Sequence, residues 1–193
     1  MSTFADSYRV ESVRKIGWNY SNAGIYFITI CTLNKNKLFG KIVDGEMVFN
    51  KCGLIANQQI LKTIDIRKNI LISDWVVMPN HVHILIMLRD LVVETPRGAS
   101  LHENPKQITV IPSHKNHPEF YKRMNLKSNQ EIPKIINQYK SCVTKICRQN
   151  KFWFGWQSRY YDEIIDDEKR FRTIKYYIKN NPKNWVKDKL HIN

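Results

Sequence analysis

Ile70-Leu71-Ile72-Ser73-Asp74-Trp75-Val76-Val77-Met78-Pro79-Asn80-His81-Val82-His83-Ile84-Leu85-Ile86-Met87-Leu88 decides the fold. Two aliphatic, β-branched runs flank Pro79-Asn80, a turn signal, so the stretch reads as two consecutive strands, 70–78 and 81–88. Side chains two apart on a strand share a face. His81 and His83 therefore point one way, while Val82, Ile84 and Ile86 point the other. Two polar rings in an otherwise apolar strand are costly to bury without a partner.

Outward from this pair, the same signals recur. Ile25 to Thr32 (IYFITICT) follows Asn22-Ala23-Gly24 and reads as a buried strand. Lys41-Ile42-Val43 and Glu46-Met47-Val48-Phe49 flank Asp44-Gly45 and form a small hairpin. From Asn50, a plausible cap, the period becomes helical, with Leu54, Ile55, Gln58, Leu61 and Ile64 in phase. Residues 91–130 are proline-rich and carry His102, His114 and His117 without periodicity, which reads as a long loop. Ile132 to Ile146 is a clear helix, Tyr160 to Ile165 a short strand, and about 167–180 a last helix. Asp166 is the expected cap of that helix, Phe171, Ile174, Tyr177 and Ile178 face inward, and Asn181-Pro182 is its stop. The order β, α, β, β, α, β, then α predicts an α+β, ferredoxin-like split βαβ. Its antiparallel sheet carries helices on one face, with a C-terminal helical extension. One domain is expected over 1–193: 13–90 with the histidine strand, a loop 91–130, a helix 131–150 and a basic extension 151–193.

The 193 residues carry 31 Lys+Arg against 17 Asp+Glu, a formal charge of +14, and the pI is near 9.7. Residues 1–120 hold 14 basic and 10 acidic groups, and residues 121–193 hold 17 and 7. This excess favours polyanionic partners, nucleic acid first, bound largely by the C-terminal third. No apolar run approaches the ~18 residues of a spanning helix, and the first residues carry no apolar signal region. Cys31, Cys52, Cys142 and Cys147 form no CxxC pair and read as reduced thiols. A cytoplasmic protein without membrane contact is expected.

Two neutral imidazoles at i, i+2 can ligate one divalent cation, although an isolated HxH more often marks a half-exposed strand face. Tyr139 lies on the inward stripe of its helix with Ile135, Ile136 and Val143. It is either a core tyrosine or a nucleophile able to attack a phosphodiester. A metal on the histidines would polarise that phosphate. Arg14, Lys15 and Trp18 precede the first strand. Lys140, Arg159, Arg170, Arg172 and Lys175 follow the loop among aromatic residues. Cations on phosphates and rings on unpaired bases suit single-strand binding.

The segment Val76 to His83 resembles the His-hydrophobe-His strand of the REP-associated (IS200-like) single-tyrosine transposases. Gly17 to Thr32 (GWNYSNAGIYFITICT) is similar to that family's opening. Tyr139-Lys140-Ser141, Trp156 to Asp162 (WQSRYYD) and Tyr177-Ile178-Lys179-Asn180-Asn181-Pro182 are similar to its later segments. The resemblance covers about 13–186. It implies a metal-dependent endonuclease and strand transferase acting on single-stranded or hairpin DNA. His81 and His83 would hold Mg²⁺ or Mn²⁺, and Tyr139 would form a 5′-phosphotyrosine. Some relatives carry a Gln ligand four residues after the tyrosine. Val143 stands there and cannot ligate, so a water or a residue such as Asn80 is left to complete the set. A homodimer, with the tyrosine acting in cis or in trans, stays open. The rival reading is a non-catalytic nucleic-acid-binding module on the same scaffold.

Overall fold

The computed structural model describes residues 18–89 and 131–191. Arg14, Lys15 and the expected loop lie outside them. Strand β1 (Gly24–Cys31) is central. It pairs antiparallel with β5 (His81–Leu88) on one side and β6 (Tyr161–Ile165) on the other. Strand β4 (Ile70–Val77) pairs with the outer edge of β5, giving the order β4-β5-β1-β6. Every neighbouring pair is antiparallel, as a split βαβ demands. Strands β2 (Gly40–Val43) and β3 (Glu46–Phe49) form a separate hairpin. Its turn residues Asp44 and Gly45 both have positive φ, 50° and 77°, the geometry that matches strand twist in a two-residue loop.

Helix α1 (Lys51–Ile66) starts where the Asn50 side chain accepts from the Gly53 amide at 3.0 Å. Gly53 lies under the hairpin, and a Cβ there would stand 2.1 Å from the Phe39 carbonyl oxygen. Helix α2 spans Glu131–Gln149 and helix α3 Glu168–Asn180. The α3 cap is Asp167, one residue after the expected Asp166. Asp167 has the extended backbone of a cap, and its carboxylate accepts from the Arg170 amide at 2.7 Å. A 3-10 turn (Trp185–Lys187) follows. No helix among the described residues is long and apolar enough to cross a membrane.

The sheet has two differently covered faces. Tyr26, Ile28, Ile30, Val82, Ile84 and Ile86 pack with α1 and α2, including Ala56, Ile60, Ile135, Ile136, Tyr139 and Val143. On the other face Leu85, Ile165, Ile174 and Ile178 form a second core, joined by Phe27 and Phe171 from β1 and α3. Both crossover helices thus lie on one face, as right-handed βαβ connections require, and the C-terminal extension covers the opposite one.

Candidate metal and tyrosine site

The alternation of β5 sends Val82, Ile84 and Ile86 into the first core, so His81 and His83 point to the α3 face. Both are buried, and their ring centroids are 4.5 Å apart. His81 Nδ1 lies 2.8 Å from Asn80 Oδ1. The Asn80 amide is oriented by its Nδ2, which donates to the Leu190 carbonyl at 2.8 Å. Asn80 Oδ1 can only accept, so His81 carries its hydrogen on Nδ1 and leaves a lone pair on Nε2. That Nε2 is buried and has no hydrogen-bond partner.

His83 sits opposite Thr29 in the β1–β5 register, and its Nδ1 is 2.8 Å from Thr29 Oγ1. Its Nε2 is 3.1 Å from the hydroxyl of Tyr177 on α3. The Tyr177 hydroxyl donates to Asp188 Oδ2 at 2.8 Å, and Asn181 Nδ2 donates to the same oxygen at 2.8 Å. The Leu190 amide donates to Asp188 Oδ1 at 2.7 Å. The single phenolic hydrogen goes to the carboxylate, so here His83 donates from Nε2 to the phenol oxygen while the Thr29 hydroxyl donates to Nδ1.

The electrostatics follow from burial. Burial lowers His81 to about 4. Burial, then the neighbouring His81, holds His83 well below the usual histidine value. Both rings are neutral at pH 7, the form that ligates a metal. Burial alone would raise Asp188, but donors from Leu190, Asn181 and Tyr177 hold it below the ordinary aspartate value. Burial and then Asp188 raise the Tyr177 phenol, so it is protonated at neutral pH.

Ligand atoms of His81, His83 and Asp188 lie within 4.8 Å of one another. The orphaned Nε2 of His81, the outer hydrogen bonds at both Nδ1 atoms and an ionised carboxylate fit a small divalent cation. Two nitrogens and a carboxylate suit Mn²⁺ better than the all-oxygen shell Mg²⁺ favours. Asp188 offers a carboxylate for the third position that Val143 cannot supply. Asn80 instead orients His81.

Tyr139 is not brought to the histidines. It is buried on the other face of the sheet, where its hydroxyl donates to the Ala56 carbonyl at 3.2 Å. Burial pushes its phenol up. The cavity beside it is about 40 Å³, room for a water and not for a phosphodiester. The inward stripe of α2 is correctly read, but it faces the side of the sheet that the histidines turn away from.

The proposed DNA contacts separate in a similar way. Trp18 is half-buried against the first core, with its Nε1 donating to Tyr26 Oη at 3.2 Å. Lys140 Nζ donates to the Gln157 and Ser158 carbonyls at 2.7 and 3.2 Å. Arg170 forks onto Glu163 at 2.6 and 2.7 Å, Arg172 lies 2.5 Å from Glu168, and Lys175 lies 3.4 Å from Asp74. Arg159 is exposed.

Two site residues escaped the sequence reading. Tyr177 was placed among the inward residues of its helix without a chemical role. Asp188 had one signal: it is the only Asp or Glu in residues 169–193, amid eight cations.

No model of a known protein family matches the sequence. An uncharacterized protein of Haemophilus influenzae is 33% identical over 183 residues, spanning 94% of this chain and 93% of that protein. A REP-associated tyrosine transposase, solved bound to a REP hairpin, superposes with a TM-score of 0.52 at 19% identity, covering 92% of this chain and 77% of that one. The chain shares that transposase's α+β fold and belongs to the same family as the Haemophilus influenzae protein.

Proposed function

We propose that the chain is a metal-dependent single-stranded DNA endonuclease and strand transferase in which Tyr177, not Tyr139, is the nucleophile. The observation that carries this is the Tyr177 hydroxyl, 3.1 Å from His83 Nε2 and 2.8 Å from Asp188 Oδ2. His81, His83 and Asp188 would hold Mn²⁺ or Mg²⁺. When bound, such an ion supplies Lewis-acid polarisation of the scissile phosphate and a positive charge that lowers the phenol's pKa.

The remaining steps belong to the chain's own side chains. With Asp188 engaged by the ion, the part-exposed Tyr177 phenol gives its proton to water as its oxygen bonds to phosphorus. The bond from phosphorus to the 3′ oxygen breaks, that oxygen takes a proton from water, and a 5′-phosphotyrosine and a free 3′-hydroxyl remain. Asn80 and Thr29 hold the two imidazoles in place through their Nδ1 atoms. Phe27 stacks on His83, with centroids 5.1 Å apart, and Trp185 lies 5.9 Å from His81. These rings restrict water at the pair. The likeness to a transposase solved on a REP hairpin supports hairpin-forming DNA as the substrate class.

The test is incubation of the full chain with a single-stranded hairpin oligonucleotide and Mn²⁺, followed by a denaturing gel. A DNA–protein adduct that is lost in Tyr177→Phe is expected. Binding without any adduct would leave a non-catalytic nucleic-acid-binding module.

A further inference from the structure

An open groove of about 880 Å³ runs between α2 and the segment 155–158. Asn137, Ser141, Thr144, Lys145 and Arg148 line it from the helix. Their spacing of three and four residues puts them on one helical face about 16 Å long. Lys145 and Arg148 are exposed, and among the described residues neither pairs with a carboxylate. Residues 132–161 contain six cations and no Asp or Glu. The groove therefore presents uncompensated positive charge beside neutral hydrogen-bonding side chains. This differs from the tail, where Arg170, Arg172 and Lys175 lie against acids.

The far wall is fixed to the catalytic end of the sheet. Trp156 bridges to Thr32, and the Gln157 amide donates to the Cys31 carbonyl at 3.0 Å. Cys31 is the register partner of His81. Lys140 clasps the same wall to α2 through its bonds to the Gln157 and Ser158 carbonyls. Trp156 Nε1 donates to the Lys140 carbonyl at 3.1 Å. The wall is thus held from both sides, so the groove is a preformed surface, tied through Gln157 to the β1 residue that pairs with His81.

We propose that this groove seats the phosphodiester backbone of the single-stranded DNA flanking the cleaved phosphate, with Lys145 and Arg148 as the main phosphate contacts. The choice of DNA rests on the nuclease reading. Phosphate oxygens meet both cations and the hydroxyl and amide donors of Ser141, Asn137 and Gln149. An anionic membrane surface would need apolar side chains beside the charges, and the groove offers few.

The experiment is fluorescence anisotropy of a labelled single-stranded hairpin oligonucleotide with the full chain, titrated with NaCl. Each single-strand phosphate contact contributes about 0.7 to the log–log salt slope. The double variant Lys145→Gln, Arg148→Gln should flatten the slope by about 1.4 and weaken binding about 25-fold near ~0.1 M salt. Ser141→Glu, at an exposed position in the same groove, should weaken binding in the same direction. Lys62→Gln, an exposed cation outside the groove, should bind as the wild type does. Circular dichroism checks that each variant folds. Unchanged affinity and slope in both groove variants would overturn the proposal, and so would preference for a ribo-oligonucleotide of the same sequence. Covalent adduct measured at saturating DNA separates the two claims. Groove-dependent binding without adduct supports the groove and overturns the nuclease. Adduct formation with groove-independent binding does the reverse.

Discussion

Replacing Tyr177 with phenylalanine should do two opposite things: abolish the covalent adduct and tighten divalent metal binding. In the structure the phenol occupies the groups a metal would use. Its hydroxyl donates to Asp188 Oδ2 at 2.8 Å, and His83 Nε2 faces it at 3.1 Å. Metal uptake must break the contact to the carboxylate and move the His83 hydrogen to Nδ1, where Thr29 Oγ1 can accept it. A hydrogen bond to a charged group contributes about 1.5–3 kcal/mol. Tyr177 is 39% exposed, so water can replace part of that interaction and the lower figure applies. About 1.5 kcal/mol is roughly a tenfold gain in affinity. The ring is retained, and with it the contacts to Phe27 and His83 at 6.2 and 5.2 Å between centroids. Isothermal titration calorimetry with Mn²⁺ on both proteins measures the change. Equal or weaker binding by Tyr177→Phe would refute the idea that the phenol competes for the ligands.

Other consequences are as direct. Tyr139→Phe should cleave DNA normally and lose about 0.5–1.5 kcal/mol in denaturant unfolding, the worth of the hydroxyl's bond to Ala56. Asp188→Asn should weaken Mn²⁺ binding by at least tenfold in calorimetry, because the carboxylate charge at the third position is lost. His81 is lowered by burial to about 4. Its contribution to stability is therefore complete above the unfolded value of ~6.5 and is lost as pH falls toward 4, a fall of about 3 kcal/mol. Thermal melts of wild type and His81→Gln across that window should differ in slope. Gly53→Ala should destabilise by at least ~1–3 kcal/mol, because the new methyl meets the Phe39 carbonyl and backbone must move.

The strands, the hairpin turn and the helix of α1 were legible because period and turn chemistry are local. The histidine pair was legible for the same reason: i, i+2 on a strand fixes a shared face. The face of the sheet on which Tyr139 packs is a step that periodicity cannot supply. An amphipathic stripe says that Tyr139 points inward, but not onto which face of the sheet. The apolar set Val82, Ile84 and Ile86 needed both crossover helices, so the polar face of β5 had to be covered by another element. Right-handed crossovers place α1 and α2 together, which leaves the C-terminal helix for the histidines. Tyr177 lay on that helix, within a stretch singled out as a motif. Asp188 reaches His81 across a separation no spacing rule encodes, and only the packed tail brings it there. The ion pairs of Arg170, Arg172 and Lys175 are likewise products of packing. Charge counting assigned these side chains to DNA, while the uncompensated cations Lys145 and Arg148 lay one helix earlier.

The central claim is that the chain cuts DNA through a tyrosine on the C-terminal helix. Proteolysis of the DNA adduct and mass spectrometry of the labelled peptide test it most directly. The account predicts a phosphonucleotide on Tyr177. A modification on Tyr139, or on the exposed neighbours Tyr161 or Tyr176, would contradict it.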